Sequence, residues 1–137
     1  MRIRSSSSLL AAAVLTVGAA CALPAFAAGS KKISNCNEAQ TRPKDVTIAC
    51  GDGNTFLANL HWSSFGGSTA SATGTFEENN CSPSCVNGKL EKAAVKVIAS
   101  GTIACKGRVD VYQRVSLVYT SKQPAQARKR YSLFCPS

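Results

Sequence analysis

Imidazole and indole are all but missing from this sequence, which holds one histidine, His61, one tryptophan, Trp62, and a single methionine. A lone imidazole leaves no second ring for the paired histidines of many zinc centres, and no C-x-x-C pair stands in for them. Carboxylates are scarce as well: seven Asp and Glu against 16 Lys and Arg. That scarcity removes the ligand set of an EF-hand, although Gly51-Asp52-Gly53-Asn54 offers two side-chain oxygens; the same letters build a tight turn. Glu77 and Glu78 are adjacent and would point to opposite sides of a strand, so they do not form a glycosidase pair. The longest apolar run, residues 9–22, falls short of the roughly 20 residues a membrane-spanning helix needs.

That run has a different use. Arg2 and Arg4 precede it and Ala25-Phe26-Ala27 follows, which makes residues 1–27 a helical signal peptide and starts the mature chain at Ala28. The rival reading is a lipoprotein acylated at Cys21. A lipobox wants a large aliphatic residue three positions earlier, where Gly18 stands. Removing residues 1–27 leaves 110 residues with 14 basic and 7 acidic side chains, a net charge of +7. A chain of that size forms one domain and buries roughly two-thirds of its unfolded surface. The positive balance favours anionic surfaces such as wall polymers, nucleic acid or lipid headgroups. A solvated basic face without a partner has the same composition.

With Cys21 removed six cysteines remain: Cys36, Cys50, Cys81, Cys85, Cys105 and Cys135. An even count in a small exported domain is a disulfide framework. Spacing alone leaves many pairings open; the sequential set is the expectation. Cys36 with Cys50 would hold the N-terminal arm to the first strand, Cys81 with Cys85 would clamp the loop at Pro83, and Cys105 with Cys135 would tie down the C-terminal strand. The rival for Cys81-Ser82-Pro83-Ser84-Cys85 is a Cu(I) or thiol-exchange site with His61 as third ligand. An oxidising compartment favours the bridge instead.

Along the mature chain, residues 28–44 read as a flexible arm and residues 45–137 as a single β-domain. Val46, Ile48 and Cys50 alternate with polar or small neighbours, the period of a half-buried strand. The Gly51–Asn54 turn then leads into a strand whose faces are Phe56, Ala58, Leu60, Trp62 and Leu57, Asn59, His61. After Gly66-Gly67, Ala70, Ala72, Gly74 and Phe76 share one face. Residues 90–99 fit both helical and strand spacing, and their β-branched content favours a strand. Residues 109–120 predict one long strand with Val109, Val111, Val115, Leu117 and Tyr119 buried. Tyr131, Leu133 and Cys135 make the last. Short alternating runs between turn signals define an all-β, disulfide-stabilised antiparallel sandwich or small barrel.

The chemistry-bearing residues are few. His61, with Ser63, Ser64 and one of Asp45, Asp52 or Asp110, holds the residue types of a hydrolase triad. Neighbours on a strand diverge, so His61 and Trp62 face opposite ways, and no residue is assigned a catalytic role. Trp62, Phe65, Tyr112, Tyr119 and Tyr131 could line a surface for sugars, stacked bases or wall polymers, with Tyr112, on the face with Arg114, expected to be the most exposed. Arg128-Lys129-Arg130 is the densest basic cluster and suits an anion or a membrane surface.

Cys50-Gly51-Asp52-Gly53-Asn54, Leu60-His61-Trp62-Ser63-Ser64-Phe65-Gly66-Gly67, Ala70-x-Ala72-x-Gly74 and Cys81-x-Pro83-x-Cys85 occur in this order after the export signal. In that respect residues 50–97 resemble small secreted proteins of actinobacteria whose function is uncharacterised. The resemblance implies export, a shared fold and a strand near Val95; it brings no activity and no catalytic residue. The expectation is therefore a secreted, monomeric β-domain without cofactor or metal. Its surface, through His61, Trp62, Tyr112, Arg128, Lys129 or Arg130, would bind an anionic wall polymer or glycan. A small hydrolase using His61 and a cationic antibacterial or inhibitory protein are the alternatives.

Overall fold

The computed structural model describes residues 30–137. The segment 1–27 read as a signal peptide, and with it the cleavage and Cys21 readings, lies outside the described residues. The strands are, in chain order, β1 (Ile33–Asn35), β2 (Glu38–Gln40), β3 (Val46–Thr47), β4 (Thr55–Ser64) and β5 (Thr69–Asn79). They continue with β6 (Leu90–Ser100), β7 (Ile103–Cys105), β8 (Val109–Val111), β9 (Arg114–Tyr119) and β10 (Arg130–Ser132). Six of them form one curled antiparallel sheet in the order β10-β9-β6-β5-β4-β3.

Alternation explains the central strands. In β6, Ala93, Val95, Val97 and Ala99 are buried between exposed Lys92, Ala94 and Lys96. The helix-or-strand ambiguity of this segment is settled by full-length pairing with β5, from Thr69 opposite Ser100 to Asn79 opposite Leu90. β5 supplies Ala70, Ala72 and Phe76 to the same inner face, and β9 supplies Val115 and Leu117.

One irregularity changes the faces of β4. Ala58 pairs with Thr75 but His61 pairs with Thr73, so β4 carries an extra residue, and Asn59 takes φ +53°. The bulge resets the alternation. Leu60 and Trp62 turn inward and His61 outward, whereas before the bulge it is Leu57 that is buried and Phe56, opposite Glu77, that faces out. Phe56 therefore does not share a face with Leu60, contrary to the sequence expectation. Gly74 lies against this bulge: a Cβ there would stand 2.8 Å from the Ala58 carbonyl oxygen and 2.9 Å from Leu60 Cδ2. Gly74→Ala is expected to destabilise the protein by about 1–3 kcal/mol through overpacking. Chemical denaturation measures it, and an unchanged midpoint would disprove this packing.

Two hairpins outside the sheet close it. The segment 28–44, expected as an arm without regular structure, contains β1 and β2, which pair antiparallel and bury Ile33 completely. Alternation is unreadable in strands this short. β7 pairs with β8, and the hairpins meet where Lys32 bridges Val111, with Lys32 N donating to Asp110 O and Tyr112 N to Lys32 O. Each hairpin is too small to be stable alone. Each is bonded to one edge of the sheet: Cys36 to Cys50, just beyond β3, and Cys105 to Cys135, just beyond β10. Cys81 joins Cys85, so the sequential pairing is the one present.

The long strand expected over residues 109–120 is broken. β8 belongs to the hairpin and β9 to the sheet, with Tyr112 and Gln113 between them. Gln113 occupies the place where the alternation calls for an apolar residue. Tyr112 is fully buried, not exposed as expected. Its hydroxyl accepts from Gly66 N at 2.9 Å and donates to Gly67 O at 3.1 Å, which anchors the β4–β5 turn.

Candidate functional site

The outer face of the sheet collects residues from five strands into ranks. One rank runs His61, Thr73, Lys96, Val118 across β4, β5, β6 and β9. The next runs Ser64, Ser71, Ile98, Ser116, Arg130 and reaches β10. A third runs Thr69, Ser100, Arg114, Ser132. Strands lie about 4.8 Å apart and same-face residues recur about every 6.7 Å along each. Lys96, Arg114 and Arg130 are all exposed. Of the seven carboxylates only Glu77 takes an outward position on this sheet, and Lys92 Nζ neutralises it at 3.0 Å. The face is therefore cationic, hydroxyl-rich and without a free carboxylate.

At one corner, where β9 begins and β10 ends, Gln113, Arg114, Arg130, Tyr131 and Ser132 line a cleft of about 240 Å³. Arg114 stands opposite Ser132 and Arg130 opposite Ser116, so the two arginines are diagonal neighbours on one face. Neither has a carboxylate partner, since Lys92–Glu77 is the one salt bridge among the described residues. Gly101 (φ +72°) packs beneath the cleft: a Cβ there would lie 3.0 Å from Gln113 Cβ, 3.1 Å from its Oε1 and 3.8 Å from Arg114 Nε.

The inner face carries a second polar group. Glu78 pairs across the strands with Glu91, and its Oε2 is buried without a hydrogen-bond partner. Desolvation, then the Glu91 charge, push its carboxyl above the usual range, with Arg128 opposing them. Tyr119 donates to Arg128 O at 2.8 Å, and Arg128 N donates to Tyr131 Oη at 2.9 Å. Burial raises the pKa of both phenols. A carboxyl with a raised folded-state pKa binds protons more tightly when folded, so its charged form weakens the fold at neutral pH. That penalty is relieved as pH falls through the folded value. Glu78→Gln is expected to melt above wild type at pH 7, with the gain vanishing by about pH 4, near the unfolded carboxyl value. A melting difference independent of pH would sink this assignment.

The sequence-derived candidates separate. His61 is exposed on the outer face and makes no hydrogen bond to Ser63, Ser64 or a carboxylate. Ser63 Oγ donates to Ser71 O and Ser64 Oγ accepts from Ser71 N. Asp45 accepts from Asn59 N and Asp52 from Asn54 N, the latter holding the Asp52 carboxyl below its ordinary pKa. No triad is assembled around His61. Trp62 is half-buried, donates Nε1–H to Pro43 O at 2.8 Å and meets Phe65 edge to face at 4.8 Å. Phe65 meets Tyr112 at 5.7 Å, while Tyr119 and Tyr131 pack on Phe76. The aromatic binding strip considered from sequence is thus spent on packing.

Of the basic cluster, Arg130 joins the outer face and the cleft, Arg128 approaches Glu78, and Lys129 O accepts from Leu117 N. Sequence reading missed Arg114 and Lys96, each a lone cation in an alternating strand. The signal that could have found them is their common outward parity. Among the described residues, no three His, Cys, Asp or Glu side chains converge to hold a metal ion. The Cys81 and Cys85 sulfurs are consumed in their bridge, which removes the thiol and Cu(I) readings. No helix among the described residues is long and apolar enough to cross a membrane. No family model, curated protein or solved structure matches the chain.

Proposed function

We propose that this protein is an exported module that binds an anionic polymer of the cell envelope through the outer face of its sheet. The observation that carries the reading is the charge of that face: Lys96, Arg114 and Arg130 stand among Thr and Ser hydroxyls with no free carboxylate. Fixed strands hold the backbone positions of these cations at regular spacings along one face, which suits a repeating polyanion. Three disulfides suit an oxidising compartment. The sequence resemblance to secreted actinobacterial proteins supports the same location.

The test is retention on immobilised poly(glycerol phosphate), polyglutamate and a neutral glucan. Combined Lys96→Gln, Arg114→Gln and Arg130→Gln should abolish retention on the anionic supports. The equal-charge control Lys44→Gln, Lys106→Gln and Arg108→Gln lies off this face and should leave it. Equal losses from both sets would mean that net charge alone drives binding and would overturn the reading. So would preferential retention on the neutral glucan.

A further inference from the structure

We infer that the corner cleft between Arg114 and Arg130 is a subsite for a terminal phosphomonoester of such a polymer, a proposal that rests on the polymer-binding reading and names the group it recognises. Arg114 and Arg130, from adjacent strands, line a cleft of about 240 Å³ together with Ser132 and Gln113. Each guanidinium presents a planar fork of N–H donors, the arrangement that matches phosphate oxygens bidentately. Donor number favours phosphate over carboxylate. Two forks, a hydroxyl and an amide exceed what two carboxylate oxygens, or the two free oxygens of a phosphodiester, can accept, whereas a terminal phosphomonoester brings three oxygens and a charge of about −1.5 to −2. That charge balances two arginines that have no acidic partner among the described residues.

The cleft is also built from below. Gly101 lets the Gln113 side chain and the Arg114 stem lie directly over the backbone, at distances a Cβ would make too short for Gln113. Behind it, Gln113 N donates to Ser100 O, and Gln113 O accepts from Leu133 N. The cleft thus sits on hydrogen-bonded sheet backbone instead of on a free loop.

The purified protein, with its disulfides intact, is titrated with inorganic phosphate, glycerol 3-phosphate, dimethyl phosphate and acetate. The Arg Nε–Hε and Gln side-chain resonances are followed by NMR. Inorganic phosphate and glycerol 3-phosphate should shift Arg114, Arg130 and Gln113 saturably, while dimethyl phosphate and acetate, each with two free oxygens and one charge, should not at equal concentration. Arg114→Gln and Arg130→Gln should each weaken phosphate binding at least tenfold, Arg130→Lys should fail to restore it fully, and the off-face Lys106→Gln should leave it unchanged. Gly101→Ala, which keeps every charge, should also weaken it. Uniform shifts across all basic residues, or equal competition by acetate, would overturn the subsite. Undiminished polymer retention by Arg114→Gln with Arg130→Gln would sink the subsite and leave the module standing. Saturable phosphate shifts in a protein that ignores the polymer would do the reverse.

Discussion

Removing both clasp disulfides together, with Cys36, Cys50, Cys105 and Cys135 all changed to Ser, should leave a chain that no longer unfolds cooperatively at physiological temperature. The bridges span 14 and 30 residues, and loop-closure entropy assigns them about 3 and about 4 kcal/mol. Net stability of a domain is about 5–15 kcal/mol, so their joint loss is comparable with the whole. The effect should exceed the entropic figure in one respect. β1–β2 and β7–β8 are two-stranded units outside the six-stranded sheet that meet at Lys32 and Val111, and such units do not persist unsupported. Freed at one end, each exposes core residues such as Ile33 and Val111, both fully buried in the native protein. Either clasp alone should lower Tm by roughly 12–32 °C, at about 4–8 °C per kcal/mol for a domain near this size. Loss of Cys81–Cys85, which closes only 4 residues of loop, should cost about 2 kcal/mol and leave the sheet intact. Circular dichroism against temperature reads all three. A quadruple variant that still melts cooperatively near the wild-type temperature would show that the hairpins hold by packing alone.

The second large effect is the salt response of polymer binding. Each phosphate neutralised on a flexible polyanion contributes about −0.7 to the slope of log K against log salt. Three outward cations, Lys96, Arg114 and Arg130, therefore set a slope near −2 and a loss of about a hundredfold for each tenfold rise in salt. Each neutralised cation should flatten the slope by about 0.7, which a simple loss of folding would not do. Titration calorimetry with poly(glycerol phosphate) at several salt concentrations gives the number. A slope near zero in wild type would exclude charge as the driving force. Equal salt-sensitive adsorption to anionic vesicles would redirect the reading to a membrane surface, and to the antibacterial alternative built on Arg128-Lys129-Arg130.

Much of the fold was legible because strand alternation is a local property. Ala70, Ala72 and Phe76, or Val95, Val97 and Ala99, show their buried face in the residue order itself. Reading failed where a distant contact overrode that period. The bulge at Asn59 inverted the faces of Phe56 and Leu57, and only the register against Thr75 and Thr73 shows it. Tyr112 looked like the exposed neighbour of Arg114. It is buried because the Gly66–Gly67 turn, more than forty residues earlier in the chain, binds its hydroxyl. Gln113 did carry a warning, a polar residue on an apolar parity, and the strand breaks there.

The residue order by itself determined that the chain is β-rich, strongly basic and equipped with six cysteines in residues 28–137. Those properties follow from counting and from a period of two. Which cations share a face was decided by tertiary structure, because Lys96, Arg114 and Arg130 come together only through the pairing of β6, β9 and β10. The same holds for closure of the sheet by two bonded hairpins. Register and cross-linking join segments far apart in sequence, and no local pattern encodes the distance between them.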